Sequence, residues 1–78
     1  MLLDVVRVQP GDDYQLELEF ENGEKRVFDM RPLLSLKPYD RIAALHMYRR
    51  AKVEYGTVVW PGEIDIAPET LYDRSLPM

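Results

Sequence analysis

The chain has 78 residues, of which 46% are hydrophobic and 31% charged, with a formal net charge of −4, no cysteine and one histidine, His46. This apolar content suits a single small domain over residues 1–78 and excludes a low-hydropathy disordered chain. The absent cysteines exclude disulfides and thiolate zinc sites, one histidine excludes a His-rich metal site, and no apolar run approaches the roughly 18 residues of a membrane span.

Residues 2–9 (LLDVVRVQ) are rich in β-branched side chains and predict a strand, closed by the turn signal Pro10-Gly11-Asp12-Asp13. The N-terminus carries Asp4 and no basic stretch, unlike a signal peptide, which places the chain in the cytoplasm. Residues 14–21 (YQLELEFE) alternate without a fault. Tyr14, Leu16, Leu18 and Phe20 share one face, and Gln15, Glu17, Glu19 and Glu21 the other. That pattern predicts an antiparallel strand with one buried and one wet face. Asn22-Gly23 predicts a type I′ turn, and EKRVFD (24–29) the returning strand. Lys25 and Arg26 are expected to reach the glutamates across the hairpin.

Pro32 opens a single helical turn over residues 32–36, which Pro38 ends. Asp40 is placed as the N-cap of a helix over 41–46 (RIAALH), with His46 expected to be partly buried at its end. A second hairpin is predicted from a strand over about 49–55, a turn at Gly56-Thr57 and a strand Thr57–Trp60 (TVVW). Pro61-Gly62 stops it. Residues 63–66 read as an irregular link and Pro68–Tyr72 as a final helix, with Asp65 or Ala67 at its cap. Residues 74–78 are expected to fray. The predicted class is α+β: an antiparallel sheet of about five strands, in two hairpins plus an N-terminal strand, with two short helices on one face.

Charge is uneven along this chain. Residues 1–30 are net −5, residues 31–55 net +4 and residues 56–78 net −3. The acidic total argues against duplex binding by the chain alone. The basic middle leaves a local patch of Arg41, Arg49, Arg50 and Lys52, with Tyr48 and Tyr55 interleaved in the manner of a single-stranded nucleic-acid platform. The same patch also reads as a face complementing the acidic strands or a protein partner. Trp60 with Glu63 and Asp65 forms a second candidate site, since carboxylates beside an aromatic bind sugars or bases. The alternative is that Trp60 anchors the core and Asp65 caps the last helix. No catalytic arrangement stands out. Ser35, Ser75, Thr57 and Thr70 lie in no nucleophile-elbow motif, and the four glycines form no phosphate-binding run, so no cofactor is expected.

Val8-x-Pro10 followed by Tyr14-x-Leu16-x-Leu18-x-Phe20-x-Asn22-Gly23 resembles the opening of a small uncharacterised bacterial family, domain of unknown function 2442. Asp29-Met30-Arg31-Pro32-Leu33-Leu34 resembles its central piece. Gly56-Thr57-Val58-Val59-Trp60-Pro61 and Asp65-Ile66-Ala67-Pro68-Glu69-Thr70-Leu71-Tyr72 resemble its close, the most specific part of the match. Many members carry glycine where this chain has Glu63. The resemblance implies a small α+β domain with no established catalytic residues. Some relatives continue into a helix-turn-helix domain, and others are encoded beside a second small protein in toxin–antitoxin-like pairs. The sequence ends at Met78, short of a recognition helix, so that DNA role is not expected here. The functional expectation is a non-catalytic protein-interaction domain, antitoxin-like in its finer form, as a homodimer or with a protein partner. The alternative is a nucleic-acid-associated regulator using residues 41–52.

Overall fold

The computed structural model describes residues 3–78. Its elements follow in the order β1 (Val5–Pro10), β2 (Gln15–Phe20), β3 (Lys25–Asp29), α1 (Leu45–Tyr48), β4 (Lys52–Glu54), β5 (Thr57–Trp60), β6 (Ile64–Ile66), α2 (Pro68–Asp73) and β7 (Leu76–Pro77). Short 3-10 turns lie over Asp12–Tyr14, Arg31–Leu33 and Tyr39–Ile42. No helix among the described residues is long and apolar enough to cross a membrane. The fold is α+β, as expected. Leu2, expected to open the first strand, lies outside the described residues.

The strands divide into two antiparallel sheets, ordered β1-β2-β3-β7 and β4-β5-β6, where the sequence predicts one sheet of about five. The free edge of β3 is taken by β7, so the second hairpin cannot extend the first sheet there. It meets the other end instead, where the Val5 amide donates to the Gly56 carbonyl at 2.8 Å. The link at 63–66 and the tail at 74–78 therefore form pairing strands, contrary to the irregular and frayed expectations. Ser75 is buried, and the Met78 amide donates to the Lys25 carbonyl at 3.1 Å.

The alternation in β2 sets the first sheet. Leu16, Leu18 and Phe20 are buried with Phe28 from β3, while Glu17 and Glu19 stand on the outer face. Glu19 pairs in register with both Arg7 and Lys25, and an Arg7–Glu19 ion pair measures 3.9 Å. Arg26 does not join them. It lies opposite Leu18 on the inner face, because strand positions two apart share a side and Phe28 is buried. Tyr14 precedes β2 at φ 60° and packs on Tyr48, with ring centroids 4.8 Å apart.

The two hairpin turns differ from expectation in type. At Asn22-Gly23 only Gly23 has positive φ (90°). The Gly23 amide donates to the Phe20 carbonyl and the Phe20 amide to the Glu24 carbonyl, both at 2.9 Å. This is a three-residue loop, a type I turn followed by a left-handed glycine, not a type I′ turn. Asn22 serves through its side chain, accepting from the Glu24 amide at 3.0 Å. The type I′ pattern occurs instead at Tyr55-Gly56, with φ 56° and 74°, closed by the pair Glu54–Thr57.

The connector is less regular than expected. Pro38, not Asp40, flanks the start of the 3-10 turn over Tyr39–Ile42, and α1 begins only at Leu45. His46 is exposed. Arg49 and Arg50 extend the α1 hydrogen bonding through amides donating to Leu45 and Met47, which shortens the predicted strand to β4. Ala67 caps α2 without a side-chain bond, and Asp65 belongs to β6. Met30, Ile42, Tyr48 and Leu71 complete the core between the sheets. At about 25 cal/mol per Å2, each such side chain contributes about 1.5–3 kcal/mol.

Candidate functional site

In β4-β5-β6 the side chains alternate across the sheet. Val53, Val58, Trp60, Ile64 and Ile66 face the core, and Lys52, Glu54, Val59 and Asp65 face out. The outer face floors an open concavity of about 540 Å3. Arg50, Tyr55, Pro61 and Glu63 line its rim. The two candidate sites nominated from sequence thus meet on one surface: Arg50 and Lys52 on the β4 side, Glu63 and Asp65 on the β6 side.

The register makes this arrangement regular. Lys52 pairs with Val59, and Val59 with Asp65. At the end where β5 runs into the Pro61-Gly62-Glu63 turn, Arg50 precedes β4 and Glu63 precedes β6, and Arg50, Pro61 and Glu63 all line the concavity. The strand row and this end of the sheet thus both carry a cation on the β4 side, an apolar residue at β5 and a carboxylate on the β6 side. Lys52 Nζ lies 2.8 Å from Glu54 Oε2, an exposed pair of the kind that contributes little. The Tyr39 hydroxyl donates to the Asp65 carbonyl at 3.0 Å, which ties the connector to β6. Burial, and then the Asp65 charge, raise the Tyr39 pKa.

The other nominated side chains do not stand on this outer face, though Trp60 borders the concavity. Tyr48 is 0% exposed, so it offers no ring face for stacking a base. Its hydroxyl donates to the Gly11 carbonyl at 3.1 Å, and burial pushes its pKa up to about 12. Trp60 is also buried, with Nε1 donating to the Tyr48 carbonyl at 2.9 Å, and so anchors the core. Arg41 and Arg49 are exposed but do not line the concavity.

Tyr55 is the residue that sequence reasoning misplaced. Read as the end of a strand, it stands at the turn tip, 96% exposed and in the left-handed region. A bulky residue is uncommon there, and such strain clusters at functional positions. Glu63 is likewise left-handed, at φ 62°. The hydroxyls of Thr57 and Ser75 are engaged, by the Ile66 carbonyl and by Arg26 and the Tyr72 carbonyl. No group of three or more His, Asp or Glu side chains among the described residues could hold a metal ion.

A family model described as "Protein of unknown function (DUF2442)" matches residues 5–77. No curated protein and no solved structure matches the chain.

Proposed function

Since the chain belongs to the DUF2442 family, we propose that it is a non-catalytic protein-interaction domain whose contact surface is the outer face of β4-β5-β6. The observation that carries this reading is the composition of that face: Val59 at the centre, an exposed Tyr55 at the tip, and Pro61 with charged side chains at the rim. Apolar centres with charged rims and tyrosine anchors are the usual anatomy of protein interfaces. In its finer form the partner is the toxin-like member of a bacterial two-protein module, met in the cytoplasm. Co-expression with a small toxin-like reading frame, where one adjoins the gene in the native host, tests this. A stable complex that Tyr55→Ala plus Val59→Lys abolishes supports the reading. Retention of the complex by that variant, with its fold intact by circular dichroism, counts against this face.

The nucleic-acid reading is second. Arg41, Arg49, Arg50 and Lys52 are exposed, but Glu54, Glu63 and Asp65 share the face with two of them, and Tyr48 is buried. Duplex binding that falls steeply with salt and is lost in Arg49→Glu plus Arg50→Glu would reverse the order of the two readings.

A further inference from the structure

We infer that the face of β4-β5-β6 is self-complementary and pairs with a second copy of this chain about a two-fold axis running along β5. This rests on the reading of that face as a protein contact surface and names the partner. The face carries one row set by the register, Lys52–Val59–Asp65, and beyond it an end group of Arg50, Pro61 and Glu63. Each group has a cation on the β4 side, an apolar residue over or just past the end of β5 and a carboxylate on the β6 side. Rotation by half a turn about an axis lying above the face and parallel to β5 exchanges the two sides and keeps each group at its own height. Lys52 of one copy then lies over Asp65 of the other, Arg50 over Glu63, and Val59 and Pro61 against their own counterparts. Sheets stack at about 10 Å, within reach of these side chains.

The charge pattern also selects among axes. A two-fold axis running across the strands through the Lys52–Val59–Asp65 row leaves β4 over β4 and β6 over β6, which sets Lys52 over Lys52 and Asp65 over Asp65, with only Arg50 and Glu54 meeting as opposite charges. Like-charge juxtaposition of this kind suppresses wrong geometries. An isologous contact needs self-complementarity under its own rotation, and only the axis along β5 supplies it. Arg50, Glu63 and Asp65 have no ion-pair partner among the described residues. The Lys52–Glu54 pair is exposed, hence weak enough to exchange. Tyr55, at the end of the face, adds area at the rim. Three short strands span only about 10 Å between the outer two, so the contact belongs to the small, weak class of interfaces. A micromolar or weaker, salt-sensitive dimer is the form to expect.

Sedimentation equilibrium on the full chain up to millimolar concentration tests this with two charge-reversed variants. Arg50→Glu plus Lys52→Glu makes both groups wholly acidic at their ends. Glu63→Lys plus Asp65→Lys makes them wholly basic. Each variant alone should dimerise at least tenfold more weakly than the parent, and an equimolar mixture of the two should recover association as a heterodimer. Circular dichroism confirms that each remains folded. A parent that stays monomeric throughout overturns the inference, as does a dimer that both variants retain or a mixture that fails to associate. If the parent is monomeric while a cognate partner still binds this face and is lost with Tyr55→Ala plus Val59→Lys, the second-copy assignment fails and the wider reading stands.

Discussion

Arg26 joins the C-terminal segment to the first sheet, and its removal tests how this small domain is held together. Its side chain is 14% exposed. Nε donates to Ser75 Oγ at 2.6 Å, Nη2 to the Ser75 carbonyl at 2.8 Å and Nη1 to Glu24 Oε1 at 3.1 Å. The guanidinium also lies over the Tyr72 ring, 4.5 Å from its centroid. Tyr72 in turn donates to Glu24 at 2.5 Å and packs edge-on against Phe20. Arg26→Met keeps the aliphatic stem and removes only the charged fork. The two bonds to Ser75 are worth about 1.5 kcal/mol each, the low end for charged donors. The partly exposed Glu24 pair and the cation–π contact each add less than about 1 kcal/mol. Relief of guanidinium desolvation offsets part of the loss, so the net cost is about 2–3 kcal/mol. A core of this size supplies only about 3–5 kcal/mol, so the effect is large. Urea unfolding at fixed protein concentration measures it, and amide exchange should show α2 and β7 losing protection first. Arg26→Lys keeps the charge but not the fork and should recover less than half. A Met variant within about 0.5 kcal/mol of the parent, or a Lys variant equal to the parent, would refute the reasoning.

Gly23→Val should cost more than about 1 kcal/mol in thermal or urea unfolding, from backbone strain alone, since a Cβ there meets open space at φ 90°. Gly56→Ala should cost more than Gly23→Ala, because its Cβ falls 2.6 Å from the Asp4 carboxylate, and the excess should vanish in an Asp4→Ala background. Glu63→Gly should leave stability unchanged or raise it by up to about 1 kcal/mol, measured at low protein concentration, and a lower melting temperature would contradict left-handed strain at that position. Tyr48 is held neutral by burial, with its pKa raised from 10.0 to about 12. Its contribution is thus full below pH 10 and lost as pH rises towards 12. Ultraviolet titration should show Tyr48 among the late-ionising tyrosines, with the late amplitude reduced in Tyr48→Phe.

Local sequence determined the elements whose signal is local. The alternation of Leu16, Leu18 and Phe20 needs no partner to mark a strand with one dry face. Pro61-Gly62 and Pro68 mark a stop and a helix start through their restricted backbones, and β5 ends at Trp60 and α2 begins at Pro68 as those signals require. The resemblance in the Trp60–Tyr72 segment identified the family on the same local footing. Tertiary structure decided the rest. Strands of two or three residues, such as β6 and β7, are too short to show a period and exist because a neighbouring edge pairs with them. Turn type at Asn22-Gly23 followed from the Phe20–Glu24 closure, not from the dipeptide. Tyr48 and Trp60 look alike in sequence whether they stack on a ligand or fill a core, and only the packing of two sheets buried them. The row across the candidate surface is the clearest case. Lys52, Val59 and Asp65 stand about six or seven positions apart along the chain and become neighbours through strand register, which is set by pairing across both sides of β5.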